Sequence, residues 1–256
     1  MRRLLLLVLG VLASVIILEA TLTYARPKPT SITIPDQCVG GCGAGPPAWM
    51  SSGSALGTGS SATSTATITG VTAGAGKFYV TIGTAFPGNA LTSVTCSAGT
   101  CGGITFAQEG TGASNTNTRA MIYSGMSSGL SGATITITAT GTCDIFGAIF
   151  GVTGANASAG ANGSSTDAVS PYDVSVTVPA GRSANSLLLS IGIETGTETV
   201  GGGTNTTITQ QADTPGGSRQ WTDRYNTDVG QGTYTLSVTG AGSSGPSIFA
   251  VEIQAQ

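Results

Sequence analysis

Six short runs of alternating apolar and hydroxyl-bearing residues occur between residues 63 and 155 of this 256-residue chain. Six occur again, in the same order, between residues 172 and 256. TATITGVTAG (65–74) is echoed by DVSVTVPAG (173–181), KFYVTIG (77–83) by SLLLSIG (186–192), and ITFAQEG (104–110) by ITQQADT (208–214). TRAMIYS (118–124) is echoed by SRQWTDR (218–224), ATITIT (133–138) by YTLSVT (234–239), and DIFGAIFGV (144–152) by SIFAVEI (247–253). One such match in a Thr- and Gly-rich chain carries no weight. Six in one order, with length differences confined to Gly-rich loops, do carry weight. A period of two, rich in Thr and punctuated by Gly, is the pattern of short strands joined by tight turns. No segment after residue 25 keeps a 3.6-residue period. The prediction is an all-β fold. Its form is an antiparallel two-sheet sandwich, jelly-roll-like, in which half-repeats 63–155 and 172–256 pool their large residues in one domain, 63–256; the alternative is that each half forms a small sandwich of its own.

Alternation assigns faces. Phe78, Val80 and Ile82 point one way, with Lys77, Tyr79 and Thr81 opposite. Ile135 and Ile137 alternate with Thr134, Thr136 and Thr138, and Leu236 and Val238 with Thr235 and Ser237. Each of these strands is expected to bury one face and wet the other. IFGAIFG, LLLSIGI and IFAVEI are apolar on both faces, or nearly so, and read as central strands. Residues 26–62, rich in Pro, Gly and Ser, read as a linker in which Trp49 either docks on the domain or serves as a handle for a partner. Residues 156–171 read as an exposed loop joining the halves.

The first 25 residues carry a different signal. A basic MRR precedes the apolar run 4–18, and small residues with Thr23 and Ala25 follow. This is the layout of an export signal peptide. An uncleaved membrane anchor helix is the alternative, although 15 apolar residues fall short of the roughly 20 a spanning helix needs. The expected location is therefore outside the cytoplasm: extracellular, cell-surface or periplasmic. Membrane contact is expected only through residues 1–25. The chain has 9 Lys and Arg against 12 Asp and Glu, with no basic cluster, so nucleic acid is not an expected partner.

Export permits disulfides. Cys38 and Cys42 lie in CVGGC, Cys96 and Cys101 in CSAGTC, and each pair can close locally. Four thiols can also hold zinc, but these spacers and the lack of flanking His argue against a metal. Cys143, at the start of an apolar strand, reads as a buried free thiol. The chain has no His, which removes Ser-His-Asp and Cys-His catalysis and His-ligated metals. Carboxylates remain, of which Glu194, Glu198, Asp223 and Asp228 are the candidates for a glycan hydrolase or lyase. Convergence of these acids on a cleft is the requirement. No cofactor and no catalytic motif is expected.

The succession VTVPAG, NSLLLSIGI, GTYTLSVTGAG and SIFAVEI resembles a sandwich module of phage tail and virion proteins and of bacterial secreted surface proteins. Glu252 stands where that module carries a polar or acidic residue in its last strand. The resemblance covers residues 63–256, is strongest over 173–253, and implies fold and setting, with no functional residue to carry over. The leading expectation is a non-enzymatic extracellular module, structural or adhesive. Its partner would be a polysaccharide or another surface or virion protein, and a phage-type structural protein is an alternative. Hydroxyl-covered faces suit glycan contact, with aromatic rings supplying stacking area. Trp221, Tyr225 and Tyr123 are the candidates for that contact, since Trp221 and Tyr123 fall on equivalent strands of the two halves.

Overall fold

A computed structural model describes residues 46–85, 91–166, 169–182, 184–240 and 245–256, the side chain of Thr92 excepted. The expected signal segment, the linker before residue 46 and the Cys38–Cys42 pair lie outside the described residues. The described residues belong to one compact unit. They are all-β, with every named strand pairing antiparallel.

The strands of the first half are β1 (Ala48–Trp49), β2 (Gly57–Ser61), β3 (Thr65–Ala73), β4 (Gly76–Ala85), β5 (Leu91–Thr100), β6 (Ala107–Gln108), β7 (Ala113–Ser114), β8 (Thr118–Ser127), β9 (Leu130–Ala139) and β10 (Asp144–Thr153). Those of the second are β11 (Asn162–Ser165), β12 (Tyr172–Val178), β13 (Leu187–Thr195), β14 (Gly201–Gly202), β15 (Thr206–Asp213), β16 (Ser218–Tyr225), β17 (Gly232–Thr239) and β18 (Ser247–Ile253).

Four sheets result where two were expected. In the first half, β10, β4, β8 and β6 lie side by side, with β1 and β2 on the free edge of β10 and β7 also on β8. The order β3-β9-β5 forms a second sheet. The second half reads β11-β18-β13-β16-β15 and β12-β17-β14. Strand for strand, the order β2-β10-β4-β8-β6 and β3-β9-β5 recurs in β11-β18-β13-β16-β15 and β12-β17-β14.

The cause is the strands that are apolar on both sides. β4, β8 and β10 turn Phe78, Val80, Ile82 and Ile149 toward β3, β9 and β5, forming the first core layer. The opposite faces, with Tyr79, Ile122, Phe146 and Phe150, pack on Leu189, Ile191, Phe249 and Val251 of the second half. A third layer joins Leu188, Trp221 and Ile248 to Val174, Val176 and Leu236. The middle sheets thus lose water on both faces, while the outer sheets keep one wet face. Lys77, Tyr79 and Thr81, expected on a wet face, are accordingly buried. Thr81 keeps its hydroxyl satisfied against the Ala148 carbonyl at 3.3 Å and the Thr222 hydroxyl at 3.0 Å. Lys77 pairs with Glu109 at 3.1 Å and donates to the Ser158 carbonyl at 2.9 Å. Ser124 donates to the same Glu109 carboxylate at 2.5 Å.

The outer faces do alternate as expected. Thr67 pairs with Thr136 and Thr65 with Thr138, above a floor of Ile68, Ile135 and Ile137. On the other outer sheet, Ser175 and Thr235 share a hydrogen bond of 2.9 Å, and Thr177 and Thr233 one of 3.0 Å.

Two segments read as connections join the sheets. Residues 46–61, predicted as linker, supply β1, β2 and a turn at Met50–Gly53. Small side chains are what this position demands: a Cβ on Gly59 would sit 2.0 Å from the Thr67 carbonyl oxygen. Trp49 docks edge-on against Phe150, ring centroids 6.4 Å apart. Residues 156–171, predicted as an exposed loop, contain β11, where Gly163 approaches the Ser175 carbonyl in the same manner. Glu252 ties this connection down, accepting from the Ala161 amide at 3.0 Å and the Ser186 hydroxyl at 2.8 Å.

Candidate binding groove

Among the described residues, the sheet order leaves one edge of β5 without a neighbouring strand. Beyond β5 the chain must cross to the other sheet of the first half, and glycines make the crossing. Gly102 and Gly103 take positive φ angles of 55° and 74°. A Cβ on Gly102 would meet the Ser127 hydroxyl at 2.2 Å and the Gly129 carbonyl at 2.3 Å, so glycine is required there. Residues 104–106 then run along β8, where Gly125 leaves room for the Thr105 carbonyl. The Cys96–Cys101 disulfide, Cα atoms 5.9 Å apart, fixes the start of this crossing. The Cys101 carbonyl accepts from the Ile104 amide and the Ser127 hydroxyl, each at 3.1 Å.

Between the β5 edge and residues 104–106 lies a groove of about 420 Å³. One wall is Ser93–Cys96, the other is Ile104, Thr105 and Phe106, and Tyr123 of β8 forms the floor. Tyr123 is 9% exposed and donates from its hydroxyl to Gln108 at 3.3 Å. Burial raises its pKa above the ordinary phenol value. No lining residue is charged. Val94, Ile104, Phe106 and the Tyr123 ring make an apolar trough with Thr105 exposed beside it, while Ser93 and Thr95, opposite Thr138 and Thr136 of β9, turn their side chains to the outer face.

The second half has a different group at the equivalent place. Tyr123 lies opposite Val80 in the first half, whereas Asp223 lies opposite Ser190 in the second. Asp223 is fully buried, and its Oδ1 accepts from the Ser190 hydroxyl. Its Oδ2 has no hydrogen-bond partner among the described residues. Burial pushes the Asp223 carboxyl up to about 7, opposed by the Ser190 hydrogen bond. The strand that flanks this side, β15, has eight residues where β6 has two.

The other candidate residues lie outside the groove. Trp221, expected as a stacking platform for a ligand, is 0% exposed. Its ring stacks on Tyr172 at 6.1 Å and fills the space left by Gly192. It is a core residue, because its face of β16 is covered by the outer sheet. Tyr225 is half-buried and rests edge-on against Tyr234 at 5.6 Å, in the second half. Of the three expected contact residues, Tyr123 alone lines the groove. Phe106, Ile104 and Thr105 were not among the expectations; the sequence CGGITF, a disulfide end followed by two glycines, was the available signal.

Among the acids, Glu194 and Glu198 lie near enough for the Glu198 charge to raise the Glu194 pKa. Burial is the larger cause of that rise, which reaches about 7, while a Tyr172 hydrogen bond and Arg219 oppose it. Glu194 is itself 0% exposed. Asp223 lies opposite Ser190, four residues from Glu194 along β13. That is a backbone offset of about 13 Å along the strand at roughly 3.3 Å per residue. Asp228 is exposed in the turn after β16. Among the described residues, no cluster of His, Cys, Asp or Glu has the makings of a metal site. A smaller cleft of about 270 Å³ at Asn115, Thr166 and Thr195 has no ring in its walls. Its Asn115 side chain is already bonded to the Asn117 and Thr118 amides and the Gly245 carbonyl.

Compared with known protein families, curated proteins and solved structures, the chain matches none. No helix among the described residues is long and apolar enough to cross a membrane. The disulfide is compatible with an extracellular setting.

Proposed function

We propose that the chain is an exported, non-enzymatic module with an adhesive or structural role at a cell surface, built from two jelly-roll-like halves and directed outward by residues 1–25. The groove beside β5 carries this reading: it is open and uncharged, and it is lined by rings, the Thr105 side chain and a strand edge. The carboxylates that would serve a hydrolase lie outside the groove, with Glu194 and Asp223 buried in the second half. The recurrence of one strand order in both halves supports the duplicated-half description. Hydroxyl-covered outer faces, with Asp173 the one charged residue over β3, β9, β12 and β17, support a role in contact with largely neutral surfaces.

Two measurements on intact cells producing the full chain test this reading. Protease shaving is expected to remove the described domain from the outside, and beads coated with the purified protein are expected to adhere to the cells or to their matrix. Protection from external protease in intact cells, with digestion only after lysis, would overturn the surface assignment.

A further inference from the structure

We infer that the groove between β5 and residues 104–106 takes a pyranose unit of a neutral polysaccharide. The inference rests on the adhesive reading above and adds the class of ligand. A sugar ring has C–H faces and a rim of hydroxyls. The groove offers the complement of both: the Phe106 and Tyr123 rings with Val94 and Ile104 for the faces, and the Thr105 hydroxyl with the Ser93–Cys96 strand edge for the rim. The edge of β5, which pairs with no strand among the described residues, adds backbone donors and acceptors. A volume of about 420 Å³ lies in the range of about 300 to 1,000 Å³ for small-ligand sites.

Charge narrows the class further. None of the eight lining residues is Lys, Arg, Asp or Glu, so a uronate, sulfate or phosphate has nothing to pair with there. The Tyr123 hydroxyl is occupied by Gln108, so the phenol already has a partner of its own. The disulfide and the Gly102–Gly103 turn hold Phe106 opposite β5 before any ligand arrives, so the site is formed in advance.

The full chain is tested by retention on insoluble cellulose, chitin and xylan, with alginate as the charged comparison, at low and high salt. Retention on at least one neutral glycan, competed by its soluble oligosaccharide and unchanged by salt, is the expected result. Phe106→Ala is expected to weaken retention at least tenfold. Thr105→Val, at an exposed position and of nearly the same shape, is expected to weaken it several-fold with an unchanged melting temperature. Tyr225→Ala, outside the groove, is expected to bind as the parent does. Retention on none of the neutral glycans, loss of retention in salt, or equal binding by Thr105→Val and the parent would each overturn the inference. Elution by a peptide but not by the oligosaccharide would do so too, pointing instead to strand addition on β5. Surface location is read by protease shaving, so failure of the ligand assignment is distinguishable from failure of the adhesive reading.

Discussion

Replacing Asp223 by Asn removes a carboxyl that the fold keeps neutral at a cost. In the folded chain it titrates at about 7 because it is buried; unfolded, it titrates near 3.9. The folded value is the raised one. The unfolded chain therefore loses this proton from about pH 4 upward, while the folded chain holds it until about pH 7. The stability present below pH 4 is lost as pH rises between these values, then stays level. A gap of roughly three pH units corresponds to about 4 kcal/mol. Asn keeps an oxygen to accept from Ser190 and carries no charge to desolvate, but its amide nitrogen takes the place of the unpartnered Oδ2. The net expectation is that Asp223→Asn is more stable than the parent by about 2–4 kcal/mol at pH 8 and no more stable at pH 4. Urea unfolding at pH 4 through 8, followed by the combined emission of Trp49 and Trp221, measures the difference. Glu194 contributes a slope of the same sign to both proteins, and subtraction removes it. A difference between the two proteins that does not vary with pH would refute the reasoning.

Three other changes have definite expected outcomes. Trp221→Ala empties a fully buried position between Tyr172 and Gly192 and should cost about 3–5 kcal/mol by urea unfolding, with glycan retention of the folded fraction unaltered. Lys77→Met leaves Glu109 buried without its cation and should cost about 3–5 kcal/mol, of which the double variant with Glu109→Gln recovers part in a thermal or urea series. Thiol titration of the folded protein should find Cys143 silent; unfolding without reductant should expose it while Cys96 and Cys101 stay unreactive. Reactivity of all five cysteines in unreduced, unfolded protein contradicts both the disulfide and the export it accompanies.

Much of the strand content was legible because alternation survives in single strands. TITIT between apolar residues has one reading, and β9 lies where that reading put it, with Ile135 and Ile137 inward. The number of layers was harder to read. Lys77, Tyr79 and Thr81 alternate with apolar residues as a wetted face does, and only the sheet of the second half, more than a hundred residues away in sequence, makes that face a core. Strands apolar on both sides were the warning, since a two-sheet sandwich has no place to bury both faces of so many. The Gly- and Ser-rich stretches at 57–61 and 162–165 look like linkers for the same reason that they fit as edge strands: they have little side chain to place against a carbonyl that comes close. At the groove, Tyr123 could be picked out as a large ring on a repeated strand. Trp221 had the same credentials and is core, since nothing local records which face the outer sheet covers. Phe106 escaped notice because its role comes from the crossing between sheets, which is set by two glycines and a disulfide rather than by periodicity.

The account stands on the groove being the surface that meets a ligand. Hydrogen–deuterium exchange of the full chain, with and without a soluble neutral oligosaccharide taken from the retained glycan, locates that surface directly. The account predicts slowed exchange at residues 93–96 and 104–106, with the Thr-covered face of β12 and β17 unchanged. Slowing on that outer face, with none at the groove, would contradict it.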